Sequence, residues 1–323
     1  MMKQISYYLM NPTKNMTILV ETPVPEASFP FVAQKLMELE PEAEQVGFVG
    51  TSSGLHAGGM TEVNAASGKG MDGRSLRMAG GEFCGNASMS AAVYYAMQEG
   101  ISEGVIWLQV SGASEAVEVQ VEKHRECDGT DSVRPDETWY GRVHMPKPVS
   151  VAEETFPDGS VHTVVRFEGI AHVIMEEADA GHALVGVSVS SERVELLDSV
   201  EALKQNPDLA LKMAASWCEH LNVDAIGLMF LNASHDKMWP LVYVPAAGTC
   251  IWESSCASGT TAAGAYLARQ AAVGFAQKTE VSRYRLRQPG GTLEIDVTPD
   301  GEYYLAGQVK VQRRREVELD VAE

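Results

Sequence analysis

Cys84-Gly85-Asn86-Ala87-Ser88-Met89-Ser90-Ala91-Ala92-Val93 and Cys256-Ala257-Ser258-Gly259-Thr260-Thr261-Ala262-Ala263-Gly264 decide how the rest of the chain reads. Each begins with a cysteine, continues through small residues and runs on in a helical pattern. In the first, Met89, Ala92, Val93, Ala96 and Met97 hold the spacing of one helix face, and Gly100 suits the stop. In the second, Ala263, Tyr266 and Leu267 hold it and Gly274 ends it. Both segments are so rich in alanine and other small residues that each predicts a helix buried on all sides.

Working outward, the two neighbourhoods match. A Pro-led helix precedes each cysteine: Pro30 opens one with Phe29, Val32, Leu36 and Leu39 on a common face, and Asn206-Pro207 opens another with Leu209, Met213, Trp217 and Leu221. A short apolar strand follows each, Val46 to Val49 and Ala225 to Leu231. Beyond each cysteine helix come two alternating strands around a turn: Val105 to Val110 and Ala116 to Val121 in the first half, Val281 to Leu286 and Leu293 to Val297 in the second. The cysteines lie 172 residues apart and the helix-opening prolines 177 apart, the signature of a duplicated unit with a boundary near Pro146-Lys147-Pro148. The predicted fold class is α/β (α+β), with two pseudo-symmetric domains at 1–147 and 148–302. Each is a curved, mostly antiparallel sheet around a central helix. Met1 to Tyr8 reads as a first strand, and the charged stretch Glu122 to Glu137 as a solvated hairpin tip.

Bulk properties narrow the function classes. A chain of 323 residues is comfortable for two domains. Its formal net charge of −19 repels phosphate backbones and anionic membrane faces, so neither nucleic acid nor membrane is an expected partner. No apolar run approaches a bilayer span, and the N-terminal residues lack a signal-peptide pattern, so the expected location is cytoplasmic. Five cysteines (Cys84, Cys127, Cys218, Cys250, Cys256) form no disulfide framework. Cys218 sits on the apolar face of the Pro207 helix, Cys127 in a polar tip and Cys250 in a strand pattern; only Cys84 and Cys256 open helices.

That placement points to proton transfer. Inverting the α-carbon of an amino acid needs a base on one face and an acid on the other, and a thiolate–thiol pair supplies both and exchanges roles in reverse. A helix N-terminus is expected to depress a thiol pKa through its dipole and unpaired amides. The amides of Gly85, Asn86, Ser258 and Gly259 are also available to an α-carboxylate, and Ala257 adds a small residue that lets backbone approach ligand. No cofactor or metal is expected: no lysine lies in a pyridoxal phosphate context, and the eight histidines never fall in metal-ligand spacing. Gly68-Lys69-Gly70-Met71-Asp72-Gly73 matches a dinucleotide string but follows no strand and opens no helix.

At these residues the sequence resembles the diaminopimelate epimerase-like fold, which includes proline racemase-like and histidine racemase-like enzymes. Cys84-Gly85-Asn86-Ala87 resembles that fold's Cys-Gly-Asn-Gly element, and Glu253-Ser254-Ser255-Cys256-Ala257-Ser258-Gly259 its second cysteine element with an acidic residue shortly before it. By the same resemblance Asn15, Gln45 and Asn222 orient substrate, while His172 and Glu253 tune a thiol or bind the α-ammonium. The last strand, Tyr303 to Gln312, returns to the first domain. Ser88-Met89 and Ala247-Gly248-Thr249 stand where diaminopimelate epimerases carry arginines, which argues against a distal carboxylate on the substrate. Asn11 to Val20 and Gly80 to Ala87 are most similar to the histidine racemase branch, whose members make D-histidine, in some bacteria for metallophores. Glu44 or Glu82 would then hold an imidazole.

The resemblance therefore implies a cofactor-independent histidine racemase acting on a free amino acid, with a homodimer as the assembly it leaves open. Two alternatives remain at this level: an isomerase of an unsaturated or diamino acid, and a non-catalytic small-ligand binder.

Overall fold

The computed structural model describes residues 2–51, 73–124, 137–176, 199–272 and 280–321. It divides into two compact units, Met1–Met145 with Leu305–Glu323, and Pro146–Tyr304. No described helix is long and apolar enough to cross a membrane. Most of the Glu122–Glu137 stretch, Cys127, Gly274 and most of the Gly68–Gly73 string lie outside the described residues.

In the first unit the strands β1 (Met2–Pro12), β2 (Thr17–Val20), β3 (Gln45–Thr51), β4 (Arg74–Met78), β5 (Glu103–Val110), β6 (Val117–Lys123), β7 (Glu137–Met145) and β16 (Tyr303–Asp320) follow one another around a sheet. The sheet closes because β16 also pairs antiparallel with β1, from Met2↔Asp320 to Pro12↔Val309. Most pairs are antiparallel; β2–β3 and β4–β5 are parallel. A parallel pair needs a crossover, and the helices α1 (Phe29–Leu39) and α2 (Gly85–Glu99) lie in those two connections. At eighteen residues, β16 runs well past Gln312, the expected end of the last strand.

Alternation along β2 and β3 sorts two faces. Ile18, Val20, Val46 and Phe48 pack with Val32, Ala33 and Leu36 of α1, each buried side chain larger than alanine contributing roughly 1.5–3 kcal/mol. Thr17 and Gln45, paired across the β2–β3 register, take the opposite face. Leu39, expected on the apolar stripe of α1, is half exposed: it is the last helical residue, where the face has turned away from the sheet. Helix α2 is buried from Gly85 through Val93, and it contacts β1, β2, β4, β5, β6 and β7. Only small side chains allow a helix to be enclosed so closely, which is why its alanines and serines show little amphipathic contrast.

The second unit carries a six-stranded sheet in the order β13 (Thr249–Trp252), β12 (Met238–Val244), β11 (Ile226–Leu231), β10 (Ile170–Glu176), β9 (Val161–Phe167), β8 (Ser150–Thr155), with β10–β11 its parallel pair. The helices α3 (Ser199–Lys204) and α4 (Pro207–Leu221) lie in that crossover, and α5 (Ala257–Ala272) leads to the hairpin β14 (Ser282–Gln288) and β15 (Gly291–Val297). Odd residues of β10 (Ala171, Val173, Met175) and even residues of β11 (Ile226, Leu228, Phe230) pack against Met213 and Trp217 of α4. Ile174, Met229 and Leu231 pack on the other face with Cys256, Ala262 and Ala263. Because both faces are covered, β11 reads as an unbroken apolar run rather than an alternation.

Candidate active site

In the first unit Cys84 caps α2. Its backbone is extended (φ −131°, ψ 116°), its sulfur accepts the Ala87 amide at 3.4 Å, and its carbonyl accepts both the Ser88 amide at 2.9 Å and the Ser88 hydroxyl at 2.7 Å. The Ala87 contact satisfies one of the amides that a helix start leaves open. The thiol donates to Gln45 Oε1 at 3.0 Å. Gln45 Nε2 in turn donates to Asn15 Oδ1 at 2.6 Å and Thr17 Oγ1 at 2.7 Å, and Asn15 Nδ2 donates to Glu44 Oε2 at 2.5 Å. Cys84, Gln45, Asn15 and Glu44 thus form one connected cluster, with Asn15 buried and Cys84 half-buried. Asn86 is buried in the first turn beside it.

The second unit repeats the cap. Cys256 immediately precedes α5; its sulfur accepts the Gly259 amide at 3.4 Å, and its carbonyl accepts the Thr260 amide at 2.9 Å and the Thr260 hydroxyl at 2.6 Å. Ser258 Oγ lies 3.6 Å from the sulfur. Gln288, at the end of β14, locks this turn: its Oε1 accepts the Cys256 amide at 2.8 Å and its Nε2 donates to Thr260 Oγ1 at 2.8 Å. Here, too, the thiol meets an acceptor side chain, the Glu253 carboxylate.

The electrostatics of Cys256 differ from the depressed pKa that a helix start predicts. Burial, first, and then the charge and hydrogen bond of Glu253 push the thiol well above its ordinary value; the Ser258 and Gly259 contacts act the other way and are outweighed. A dipole contribution near one helix turn amounts to roughly 0.3–2 kcal/mol, less than the cost of an anion desolvated beside a carboxylate.

The remaining sequence candidates fall in different places. Glu253, Ala257, Ser258 and Gly259 cluster at Cys256. His172 lies on β10, on the same sheet face as Ile174 and opposite Gly227, but it is fully buried. Burial pushes its pKa down to about 3, and neither ring nitrogen has a hydrogen-bond partner among the described residues. Burial thus keeps the imidazole neutral, with one ring nitrogen able to accept a hydrogen bond. Its ring packs where a Cβ on Gly227 would fall 2.3 Å from Nδ1. Asn222 is an exposed C-cap of α4 in the left-handed region (φ 51°), a conformation asparagine tolerates well. Cys218 is a buried core thiol bonded to the Val223 carbonyl, and Cys250 lies in β13.

Sequence reasoning passed over Thr17, Ser88, Thr260 and Gln288. The hydroxyls of Ser88 and Thr260 were readable, each four residues after its cysteine. Gln288 has no local signal, because a hairpin brings it in from 32 residues away.

The family model described as "Histidine racemase CntK N-terminal domain" matches residues 4–188 and, a second time, residues 188–313. The chain belongs to this family. A histidine racemase from Fusobacterium nucleatum is 28% identical over 95% of this chain and 94% of its own length. One from Staphylococcus aureus is 25% identical over 90% and 88%. Among solved structures, a predicted epimerase from Pseudomonas aeruginosa covers 97% of this chain and 99% of its own at 13% identity, with a TM-score of 0.58, which bears on the fold alone. Family membership makes the protein an amino-acid racemase, an isomerase of the histidine racemase branch with the expected mixed α/β, strand-rich fold.

Proposed function

We propose that this racemase inverts histidine by a two-base exchange between Cys84 and Cys256. The observation that carries the reading is the repeated cap. In both units a cysteine immediately before a buried helix accepts the amide of the residue three positions on, at 3.4 Å, and its thiol meets an acceptor side chain.

Each thiol is therefore held where its proton can be taken or returned, beside amides open to a carboxylate. Burial and Glu253 favour the protonated form of Cys256, which makes it the acid at the start of turnover and Cys84 the base. The thiolate of Cys84 takes the α-proton, the thiol of Cys256 delivers its own to the opposite face, and the other enantiomer reverses the roles. First-turn amides of α2 and α5 (Gly85, Asn86 and Ser258) hold the α-carboxylate, while that of Gly259 is given to the Cys256 sulfur. Histidine is favoured as substrate by the two relatives' activity and by the Glu44 carboxylate, joined through Asn15 and Gln45 to Cys84.

The test is α-hydrogen exchange of L-histidine in D₂O, followed by NMR and optical rotation without added cofactor. Exchange should fall by at least about a hundredfold in both Cys84→Ser and Cys256→Ser. Full exchange in either variant would exclude the two-thiol mechanism, and exchange of other amino acids in preference to histidine would exclude the substrate.

A further inference from the structure

The cluster at Cys84 has a direction. A carboxylate only accepts hydrogen bonds, so the Glu44–Asn15 contact obliges Asn15 to present its NH₂ to Glu44 and its carbonyl to Gln45. Thr17 Oγ1 already donates to the Asn15 backbone carbonyl at 3.0 Å, so it too can only accept from Gln45. Both acceptors fix the Gln45 NH₂ on their side and turn its carbonyl toward the cysteine sulfur, 3.0 Å away. A carbonyl oxygen welcomes S–H and opposes a thiolate.

We propose that Glu44, acting through Asn15, sets the direction of the Gln45 carboxamide and so limits the fraction of Cys84 that is thiolate, the fraction on which proton abstraction draws. Glu44 is in this account a positioning residue: the exposed carboxylate decides how much of the half-buried cysteine is thiolate. The inference rests on Cys84 being an acid–base group, but the relay is a property of the folded chain and is read without turnover. The other carboxylate close to the cysteine in sequence, Glu82, turns toward Gly80, where an added Cβ would fall 2.4 Å from its Oε2.

Replacing Glu44 by glutamine removes the obligate acceptor. The carboxamide that takes its place can donate to Asn15, Asn15 can invert, and Gln45 can follow, bringing an N–H to the sulfur. Iodoacetamide labelling of the Cys84 peptide, quantified by mass spectrometry across neutral pH, reads the thiolate directly. Labelling in Glu44→Gln should be about fivefold faster than in the parent, the size of exchanging one hydrogen-bond acceptor for a donor. Adding Asn15→Asp restores an obligate acceptor one step nearer, so the double variant should return to the parental rate. A merely structural role for Glu44 gives no reason for that rescue. Unchanged or slower labelling in Glu44→Gln, or a double variant as fast as the single one, would overturn the relay. Because every protein with Cys84 present gives a labelling rate, a chain that fails to racemise histidine still tests this proposal, and the two failures stay distinct.

Discussion

Replacing Gly259 by alanine tests the packing that holds the second thiol. A Cβ at this position would fall 2.2 Å from Met229 Sδ, 3.2 Å from Met229 Cε and 3.2 Å from Cys256 Sγ. Ordinary van der Waals contact begins near 3.4–4 Å, so Met229 must withdraw by more than an ångström, and it is fully buried under α5. Overpacking of this kind costs roughly 1–3 kcal/mol. The gain from replacing glycine in a helix, about 1 kcal/mol in an interior position and less in a first turn, offsets only part of it. The expected net loss is therefore about 1–2 kcal/mol in urea unfolding followed by circular dichroism, with altered labelling of Cys256, since the new methyl group presses on its sulfur. Combining Gly259→Ala with Met229→Ala should cost less than the sum of the single changes, because the second removes the clashing atoms. A Gly259→Ala protein as stable as the parent, or strict additivity in the double variant, would refute this account of the site.

Other changes test the electrostatics. Glu253→Gln removes a charge that raises the Cys256 pKa, so the thiolate should form at lower pH; labelling of Cys256 near neutrality should rise about tenfold, while burial still keeps the thiol above its ordinary value. His172 has its folded-state pKa depressed to about 3 from an ordinary 6.5. The unfolded chain binds that proton first, so stability is complete above the ordinary value and is lost as pH falls toward 3, by up to about 1.4 kcal/mol per pH unit. His172→Leu should flatten the slope of unfolding free energy in that window; an unchanged slope would show that the imidazole is not shielded as described.

The cysteine caps were legible because their signals are local: a thiol, small residues, then helical spacing closed by Gly100. The duplicated order of elements was legible for the same reason, since turn residues and apolar periodicity act over a few positions. What escaped depends on contacts distant in sequence. Leu39 shares the spacing of Leu36, yet only tertiary packing decides where the stripe ends. A rule for helix starts predicted a depressed thiol, and burial with Glu253 reversed it at Cys256. His172 alone reads as a core histidine, and only its resemblance to a family element gave it a site role; its enclosure goes with the parallel register that sets it opposite Gly227. Gln45 and Asn15 were singled out by resemblance as residues that orient substrate; their bonds to one another and to the thiol join positions 30 and 39 residues apart and have no local signal.

The pairing of β1 with β16 bears on how the chain acquires its shape during synthesis. Met2 to Pro12 leave the ribosome well before their partners, Val309 to Asp320, which are made about three hundred residues later. Until then one flank of β1 offers open backbone donors and acceptors, while Pro146–Tyr304 can already make its internal contacts. The unit begun before Pro146–Tyr304 is thus completed only after it. Pairings of such long sequence separation fold slowly and expose strand edges meanwhile, so chaperone demand and sensitivity to C-terminal truncation should concentrate on the unit that carries Cys84.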